Sequence, residues 1–225
     1  MPLGHSYLRA GDGVIDIGCN SGHYLLGYAD IVGNTGYAWG IEPHPDAAAT
    51  ARAHTNHRPW VTVQQVALTG PSDVEDRAFS RQGVLWSSDQ TKQASLAEGN
   101  CLGGPPTQIP CVLSTLDAVW QQVPKAPRLI KIDAQGSEGH ILAGSAEALD
   151  LRLSVWVLEI WEPGLERLGS TVEDVFRPFE SRGYVPHGPD AGEMSWQHVR
   201  DRAEAQKGHS SIDIAFVPPG GVRAA

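Results

Sequence analysis

Short apolar runs alternate with amphipathic stretches along most of the chain. The apolar runs have the length and composition of strands buried in a parallel sheet, and they occupy 14–17, 37–41, 61–68, 128–132 and 153–160. Between them, apolar residues recur at helical spacing, which predicts helices over 23–32, 45–54 and 137–149. Strand and helix in repeated alternation indicate a doubly wound α/β sheet.

The last third of the chain breaks this alternation. A helix capped by Thr171 is predicted before two further strands at 184–187 and 211–217, with one more helix between those strands. We expect the last two strands to form an antiparallel hairpin. Right-handed crossovers would place the first and fourth strands side by side, where the direction of winding reverses. The predicted fold is therefore a mostly parallel, seven-stranded, Rossmann-like sheet with a C-terminal antiparallel hairpin.

The middle of the chain is the least regular part. Short strands are predicted at 78–80 and 84–86, and a strand-like run follows at 110–114. The polar, glycine-rich segment 87–106 is long for a loop in a compact domain. Because it precedes the fourth core strand, we expect it to cover the mouth of a ligand site.

A glycine-bracketed turn, Gly18-Cys19-Asn20-Ser21-Gly22, follows the first strand. A dinucleotide-binding loop would have glycine at position 20, close to the pyrophosphate. Asp16 would repel a pyrophosphate but suits an amino group or a sulfonium. Glu42 lies 20 residues after Gly22, at the end of the second strand, where an acid can bind ribose hydroxyls. These features favour S-adenosylmethionine (SAM) over NAD.

Two sequence blocks carry a family resemblance. The first block comprises GDGVIDIGCNSGHY at 11–24 and GIEPHP at 40–45, and the second is LIKIDAQGSE at 129–138. Both blocks resemble the motifs of FkbM-type SAM-dependent methyltransferases. The similarity runs from about residue 8 to residue 163, although that family commonly has Val-Glu where this chain has Ala134-Gln135. The resemblance implies a class I methyltransferase fold with SAM bound by Asp16, Gly18, Cys19, Asn20, Gly22, Tyr24, Glu42, Pro43, Ala67 and Leu68.

Length, charge and cysteine content limit the number of domains, the partners and the cysteine chemistry that we expect. A length of 225 residues predicts one domain over 1–225. The charge of −9, from 17 basic and 26 acidic residues, argues against a large nucleic-acid or anionic-membrane surface. We find no membrane-spanning run and no signal-peptide pattern, and we expect a cytoplasmic protein. Three cysteines without a C-x-x-C pattern predict neither a disulfide framework nor a zinc site. A homodimer is compatible with the sequence.

Candidate catalytic residues follow the fourth strand. Asp133 ends that strand and is our first candidate for a base or for orienting an acceptor. Glu138 and His140 begin the next helix and are further candidates, although a helix-dipole acid and a surface or capping histidine are the alternatives. Because no dense ligand cluster occurs, we expect no metal. The alternative is that Asp133 and Glu159 hold Mg²⁺, which would acidify a substrate hydroxyl.

The predicted activity is methyl transfer from SAM to a small molecule, most simply to a hydroxyl. By resemblance, acceptors include sugars and secondary metabolites. N-methylation, a non-catalytic SAM-binding module and an NAD-dependent enzyme are the alternatives. Thermal protection by NAD without protection by SAM would favour the last.

Overall fold

A computed structural model describes residues 4–74, 82–87, 94–96, 107–189, 192–206 and 210–221. Its strands are β1 (Gly13–Ile17), β2 (Tyr37–Ile41), β3 (Val61–Gln64), β4 (Ala67–Leu68), β5 (Gln82–Ser87), β6 (Ala94–Ser95), β7 (Thr107–Ser114), β8 (Leu129–Ile132), β9 (Val155–Ile160), β10 (Val185–His187) and β11 (Ile212–Val217). Its helices are α1 (His23–Val32), α2 (Pro45–Thr55), α3 (Leu116–Trp120), α4 (Glu138–Ala143), α5 (Ala146–Leu151), α6 (Glu162–Arg167), α7 (Val172–Glu180) and α8 (Trp196–Gln206).

The predicted sheet is confirmed. Seven strands run in the order β10-β11-β9-β8-β1-β2-β3. Strand β1 pairs in parallel with β2 on one side and with β8 on the other, so the winding reverses at β1. Strand β11 is antiparallel to both of its neighbours, β9 and β10. The carboxyl ends of β1, β2 and β8 therefore share one edge of the sheet.

Apolar side chains cover both faces of the sheet. On one face, Ile15 and Ile130 pack with residues of α4, α5 and α7. On the other face, which we call the α1 face, Val14 and Leu129 pack with Leu25 of α1. Successive side chains of a strand point to opposite faces, so β1, β2, β8, β9 and β11 each contribute to both cores.

Two predicted elements are each split in the structure. The strand expected over 61–68 divides into β3, in the main sheet, and β4, in a second sheet of order β4-β7-β5-β6. The helix expected over 137–149 breaks between α4 and α5 at Gly144, where a Cβ atom would lie 2.3 Å from the carbonyl oxygen of Thr69. The predictions of a single strand and a single helix were therefore wrong, because local periodicity does not report contacts with residues distant in the chain.

Other expectations have mixed outcomes. The strand at 84–86 is confirmed within β5, and the helix expected between the last two strands is confirmed as α8. The strand expected at 78–80 lies outside the described residues, as does most of the 87–106 segment. Among the helices that the structure describes, each is too short or too polar to cross a bilayer.

Candidate active site

A cleft lies at the carboxyl ends of the central strands, on the edge where winding reverses. Ligands of open α/β sheets bind at this place. The cleft is lined by Ile17, Gly18, Asn20, Ile41, Glu42, Pro43, Val66, Ala67, Leu68, Leu85, Ser95, Leu96, Asp133, Ala134, Gln135, Ser137 and Ile141. Of the residues predicted to bind SAM, it brings together Gly18, Asn20, Glu42, Pro43, Ala67 and Leu68.

The glycine turn has the conformation that its sequence demands. Gly18 has a φ of 77°, and a Cβ atom there would lie 1.8 Å from the carbonyl oxygen of Asp133. Only glycine lets the ends of β1 and β8 approach this closely. Asn20 also has a positive φ, of 48°, and its side-chain oxygen accepts a hydrogen bond of 2.6 Å from the backbone N–H of Ser21. The floor of the cleft is therefore backbone.

Glu42 is the buried acid of the cleft. Its carboxylate oxygens accept hydrogen bonds of 2.8 Å from the backbone N–H groups of Asn20 and His44. Only 5% of the residue is exposed, and burial raises its pKa to about 7 against the lowering effect of these hydrogen bonds. Glu42 thus ties the glycine turn to the end of β2.

Four predicted cofactor residues do not line the cleft. Asp16 and Cys19 are buried on the α1 face, where the Cys19 sulfur packs close to Gly40. Gly22 caps the start of α1, and its Cα faces Ala51. Tyr24 is 40% exposed, with its ring centroid 4.8 Å from the Lys131 ammonium. The glycine turn points only part of its sequence toward the cleft because side chains of successive residues diverge.

The acid face is the polar part of the α1 face and consists of Asp16, Lys131, Asp133, Glu159 and Asp213. Strand register aligns it: Asp16 lies opposite Lys131, and Glu159 lies opposite Asp213. The Lys131 Nζ atom is 3.1 Å from Asp133 Oδ2 and 3.6 Å from Asp16 Oδ1. Burial opposes the charge of Lys131, but the carboxylates of Asp16 and Asp133 outweigh it and raise the pKa of the lysine.

Asp133 and Glu159 form a hydrogen-bonded pair of carboxyl groups. Burial opposes ionisation of Asp133, yet Lys131 and three side-chain hydrogen bonds lower its pKa. Burial, and then the neighbouring Asp133, raise the pKa of Glu159 to about 7. One carboxyl is therefore held ionised beside another that carries the proton near neutral pH. Ser211 fixes Glu159 further by donating a hydrogen bond of 2.7 Å to its Oε1 atom.

The two catalytic candidates on α4 do not reach the cleft. The buried carboxylate of Glu138 turns back and accepts hydrogen bonds from the N–H groups of Ala134, at 2.9 Å, and Gly136, at 3.3 Å. His140 Nε2 contacts the carbonyl oxygen of Leu168 at 2.9 Å, and its Nδ1 lies 3.7 Å from Asp73 Oδ2. Neither residue lines the cleft, and a catalytic role for either stays a prediction. Glu138 instead shapes the loop after β8.

The part of the chain that the structure describes contains no cluster of metal-ligating side chains. No group of three or more His, Cys, Asp or Glu side chains there is arranged to hold an ion. Glu159 does lie beside Asp133, as the Mg²⁺ alternative requires, but the Lys131 ammonium already binds the Asp133 carboxylate at 3.1 Å.

Comparison with known proteins decides the family. A family model described as "Methyltransferase FkbM domain" matches residues 16–186. The chain belongs to the FkbM methyltransferase family. It is 29% identical over 174 residues to the 31-O-demethyl-FK506 methyltransferase FkbM of Streptomyces tacrolimicus, covering 68% of this chain and 66% of that relative. The chain thus spans slightly less than two thirds of the relative's length.

Solved structures of methyltransferases align with this FkbM-family chain, and one with a TM-score above 0.5 shares its fold. A putative rRNA-methylase from Clostridium thermocellum aligns with a TM-score of 0.52 at 11% identity, covering 94% of this chain and 91% of that one. The FkbM methyltransferase of Methylobacillus flagellatus KT aligns with a TM-score of 0.49 at 15% identity, covering 91% and 43%. At such identities, the likeness concerns the fold alone.

Sequence reasoning missed two polar residues of the site. Lys131 interrupts an apolar strand two residues before Asp133, which indicates a paired or edge charge, and the structure shows the pair. The side-chain amide of Gln135 donates a hydrogen bond of 3.2 Å to Asp133 Oδ1. The backbone carbonyl oxygen of Gln135 accepts a hydrogen bond of 3.1 Å from the Ser95 hydroxyl. No local pattern predicts the contact with Ser95, because 40 residues separate the two positions.

Proposed function

We propose that this chain is a SAM-dependent methyltransferase that methylates a hydroxyl group of a small molecule. The observation that carries the proposal is the cleft, which joins the glycine turn, the buried acid Glu42 and the strand-end acid Asp133 at the point where winding reverses. We further propose that residues 1–225 form one methyltransferase domain.

The cleft suits the adenosine part of SAM. Glu42 is placed to accept hydrogen bonds from ribose hydroxyls, while Val66, Leu68 and Ile141 offer an apolar surface to the adenine ring. Gly18 has no side chain, so the turn packs directly against the end of β8 and borders the ligand space there. SAM supplies a methyl group that its sulfonium already activates.

The protein has two tasks in the reaction, which are to align the acceptor and to take its proton. The acceptor oxygen forms a bond to the methyl carbon as the carbon–sulfur bond breaks, and the electron pair of that bond stays on sulfur. The hydroxyl proton passes to the carboxylate of Asp133, the ionised member of the pair. Lys131 and Gln135 hold Asp133 in place for this step.

An oxygen acceptor agrees with the name of the relative, which is a methyltransferase of a 31-O-demethyl compound. A sugar or secondary metabolite is our proposed acceptor class. Nitrogen acceptors remain the second possibility within the same chemistry, since a neutral amine would need the same alignment. We propose no metal requirement, no nucleic-acid or membrane partner, and a cytoplasmic location.

Calorimetric titration with SAM and with its demethylated product tests the proposal. We expect saturable binding of both, weakened roughly tenfold or more in Glu42→Gln because a charged acceptor to the ribose is lost. The N–H groups of Asn20 and His44 bind different oxygens of Glu42, and glutamine keeps an acceptor for only one of them. The thermal unfolding midpoint of the variant is therefore measured beside its affinity. Glu166→Gln, an exposed change on α6, is the matched control and should bind normally.

Three results would contradict this assignment. Failure of both ligands to bind would remove the cofactor, and normal binding by Glu42→Gln would remove the ribose contact. Binding of SAM without turnover of any sugar or polyketide hydroxyl would instead favour a non-catalytic SAM-binding module.

A further inference from the structure

The second sheet forms one wall of the proposed cofactor cleft. Leu85 on β5, Ser95 on β6 and Leu96 directly after β6 line the cleft, together with the loop that follows β8. Leu85 packs with Ala67 and Leu113 in a small apolar cluster that is separate from the two cores of the main sheet. The position of this wall relative to Asp133 therefore depends on contacts across the cleft.

Ser95 makes such a contact. Its hydroxyl donates a hydrogen bond of 3.1 Å to the backbone carbonyl oxygen of Gln135, and both residues line the cleft. Only 1% of Ser95 is exposed, and a hydrogen bond that is shielded from water is stronger than one at the surface. The bond joins the second sheet to the loop that begins with Asp133.

Gln135 carries this contact on to Asp133. Its side-chain amide donates a hydrogen bond of 3.2 Å to Asp133 Oδ1, so its backbone is bound on one side and its side chain on the other. Its φ of 51° sets the directions of both groups, and a non-glycine residue keeps this conformation only when its surroundings hold it. Glu138 holds the N–H groups of the two flanking residues, and Ser95 holds the carbonyl of Gln135 itself.

We infer that Ser95 is a positioning residue for methyl transfer: from the second sheet it fixes Gln135 and, through Gln135, orients the carboxylate of Asp133 toward the acceptor. The inference rests on the proposed function. Without the Ser95 hydroxyl, the carbonyl of Gln135 is released, and the amide that donates to Asp133 loses its fixed direction. The carboxylate then spends less time in the orientation that takes the proton of the acceptor.

Ser95→Ala tests this role, with Ser87→Ala as the matched control. Ser87 lies on the neighbouring strand β5 and is equally buried, but its hydroxyl has no hydrogen-bond partner among the described residues. With an acceptor that the wild-type protein methylates, kcat of Ser95→Ala should fall about fivefold, as expected for one lost hydrogen bond. Its Kd for SAM should stay within about twofold of the wild-type value by calorimetry. Ser87→Ala should change neither quantity.

A double-mutant cycle shows whether Ser95 acts through Gln135. Gln135→Ala should lower kcat by itself, and adding Ser95→Ala should lower it no further, because the amide that Ser95 positions is already absent. Ser95→Thr keeps the hydroxyl and should recover most of the activity. Ser95→Cys keeps the volume but donates weakly, so it provides the same comparison if Ser95→Ala does not fold. Thermal unfolding midpoints identify any variant that does not fold.

The titration of Asp133 provides a second measurement that needs no acceptor. The amide of Gln135 stabilises the ionised carboxylate, so the pKa of Asp133 should be higher in Ser95→Ala than in the wild-type protein or in Ser87→Ala. Carbon-13 NMR of protein labelled at the aspartate carboxyl carbons follows this titration, and Asp133→Asn assigns the signal. The variants leave unaltered the other titratable groups that act on Asp133, which are Asp16, Glu42, Lys131, Glu138, Glu159 and Asp213.

The two proposals fail in distinguishable ways. Absence of SAM and S-adenosylhomocysteine binding by the wild-type protein would overturn the proposed function. With SAM-dependent turnover intact, three results would overturn the positioning role alone. These are an unchanged kcat and an unchanged Asp133 titration in Ser95→Ala, independent losses in the double-mutant cycle, or a weaker affinity for SAM at unchanged kcat. The last result would mean that Ser95 contacts the cofactor directly.

Discussion

Among single residues, Asp133 has the most constrained environment. Its Oδ2 atom accepts from Lys131 at 3.1 Å and its Oδ1 atom accepts from Gln135 at 3.2 Å, while Glu159 bonds to the same carboxyl. A quarter of its side chain is still exposed, at 24%, which leaves it open to an acceptor. A side chain that aligns a nucleophile must have a fixed orientation and must be accessible to that nucleophile.

Asp133→Asn tests this role. Asparagine keeps the shape but loses the charge that accepts a proton, so kcat should fall by roughly 100-fold or more. Affinity for SAM should stay near the wild-type value, because Glu42 and the glycine turn are unchanged. The measurement is the rate of S-adenosylhomocysteine formation with an acceptor that the wild-type protein methylates. A variant of full activity would show that Asp133 has no part in the chemistry.

At the scale of elements, the loop between β8 and α4 joins the cleft to the acid face. Gln135 adopts a positive φ of 51° there, which a non-glycine residue keeps only when its surroundings enforce it. Glu138 supplies that enforcement by bonding the N–H groups of Ala134 and Gly136 from inside the loop. The first residue of α4 therefore fixes the residues that follow Asp133.

Glu138→Ala should destabilise the protein by about 2–4 kcal/mol, because two buried N–H groups lose their acceptor. Glu138→Gln keeps an oxygen at that position and should recover most of the loss. Urea unfolding at pH 7 measures both variants. Equal stability of Glu138→Ala and the wild-type protein would mean that the loop does not depend on this carboxylate.

At the scale of the whole molecule, three glutamate carboxyl groups matter for the pH dependence of stability. Burial is the largest cause that raises the pKa values of Glu42, Glu138 and Glu159, each to about 7. In the unfolded chain, such groups titrate near pH 4.5. Between these values the folded form binds more protons than the unfolded form, so the free energy of unfolding falls as pH rises from about 4.5 to about 7.

The thermal unfolding midpoint should therefore be higher at pH 5 than at pH 8. Glu138→Gln should reduce this difference because it removes one of the three groups, whereas Glu147→Gln, an exposed change on α5, should not. Differential scanning calorimetry across this range provides the measurement. A midpoint that rises from pH 5 to pH 8 would contradict the raised pKa values.

The local pattern of apolar and polar residues was sufficient to predict most of the fold. The apolar runs at 14–17 and 128–132 predicted β1 and β8, and the handedness of crossovers predicted that they would be neighbours, as they are. The split of 61–68 into β3 and β4 could not be predicted, because it depends on pairing with β7, more than 40 residues away. The same applies to the break at Gly144, which depends on contact with Thr69.

The sequence by itself determined the strand–turn–helix unit, the acid at the end of β2 and the family, because these depend on residues close together in the chain. Only the tertiary structure decided which site residues face the cleft and which face α1. Asp133, Glu159 and Asp213 come from three strands, and their alignment depends on register between strands. A shift of one residue would turn each side chain to the opposite face, and only packing of both cores at once fixes that register.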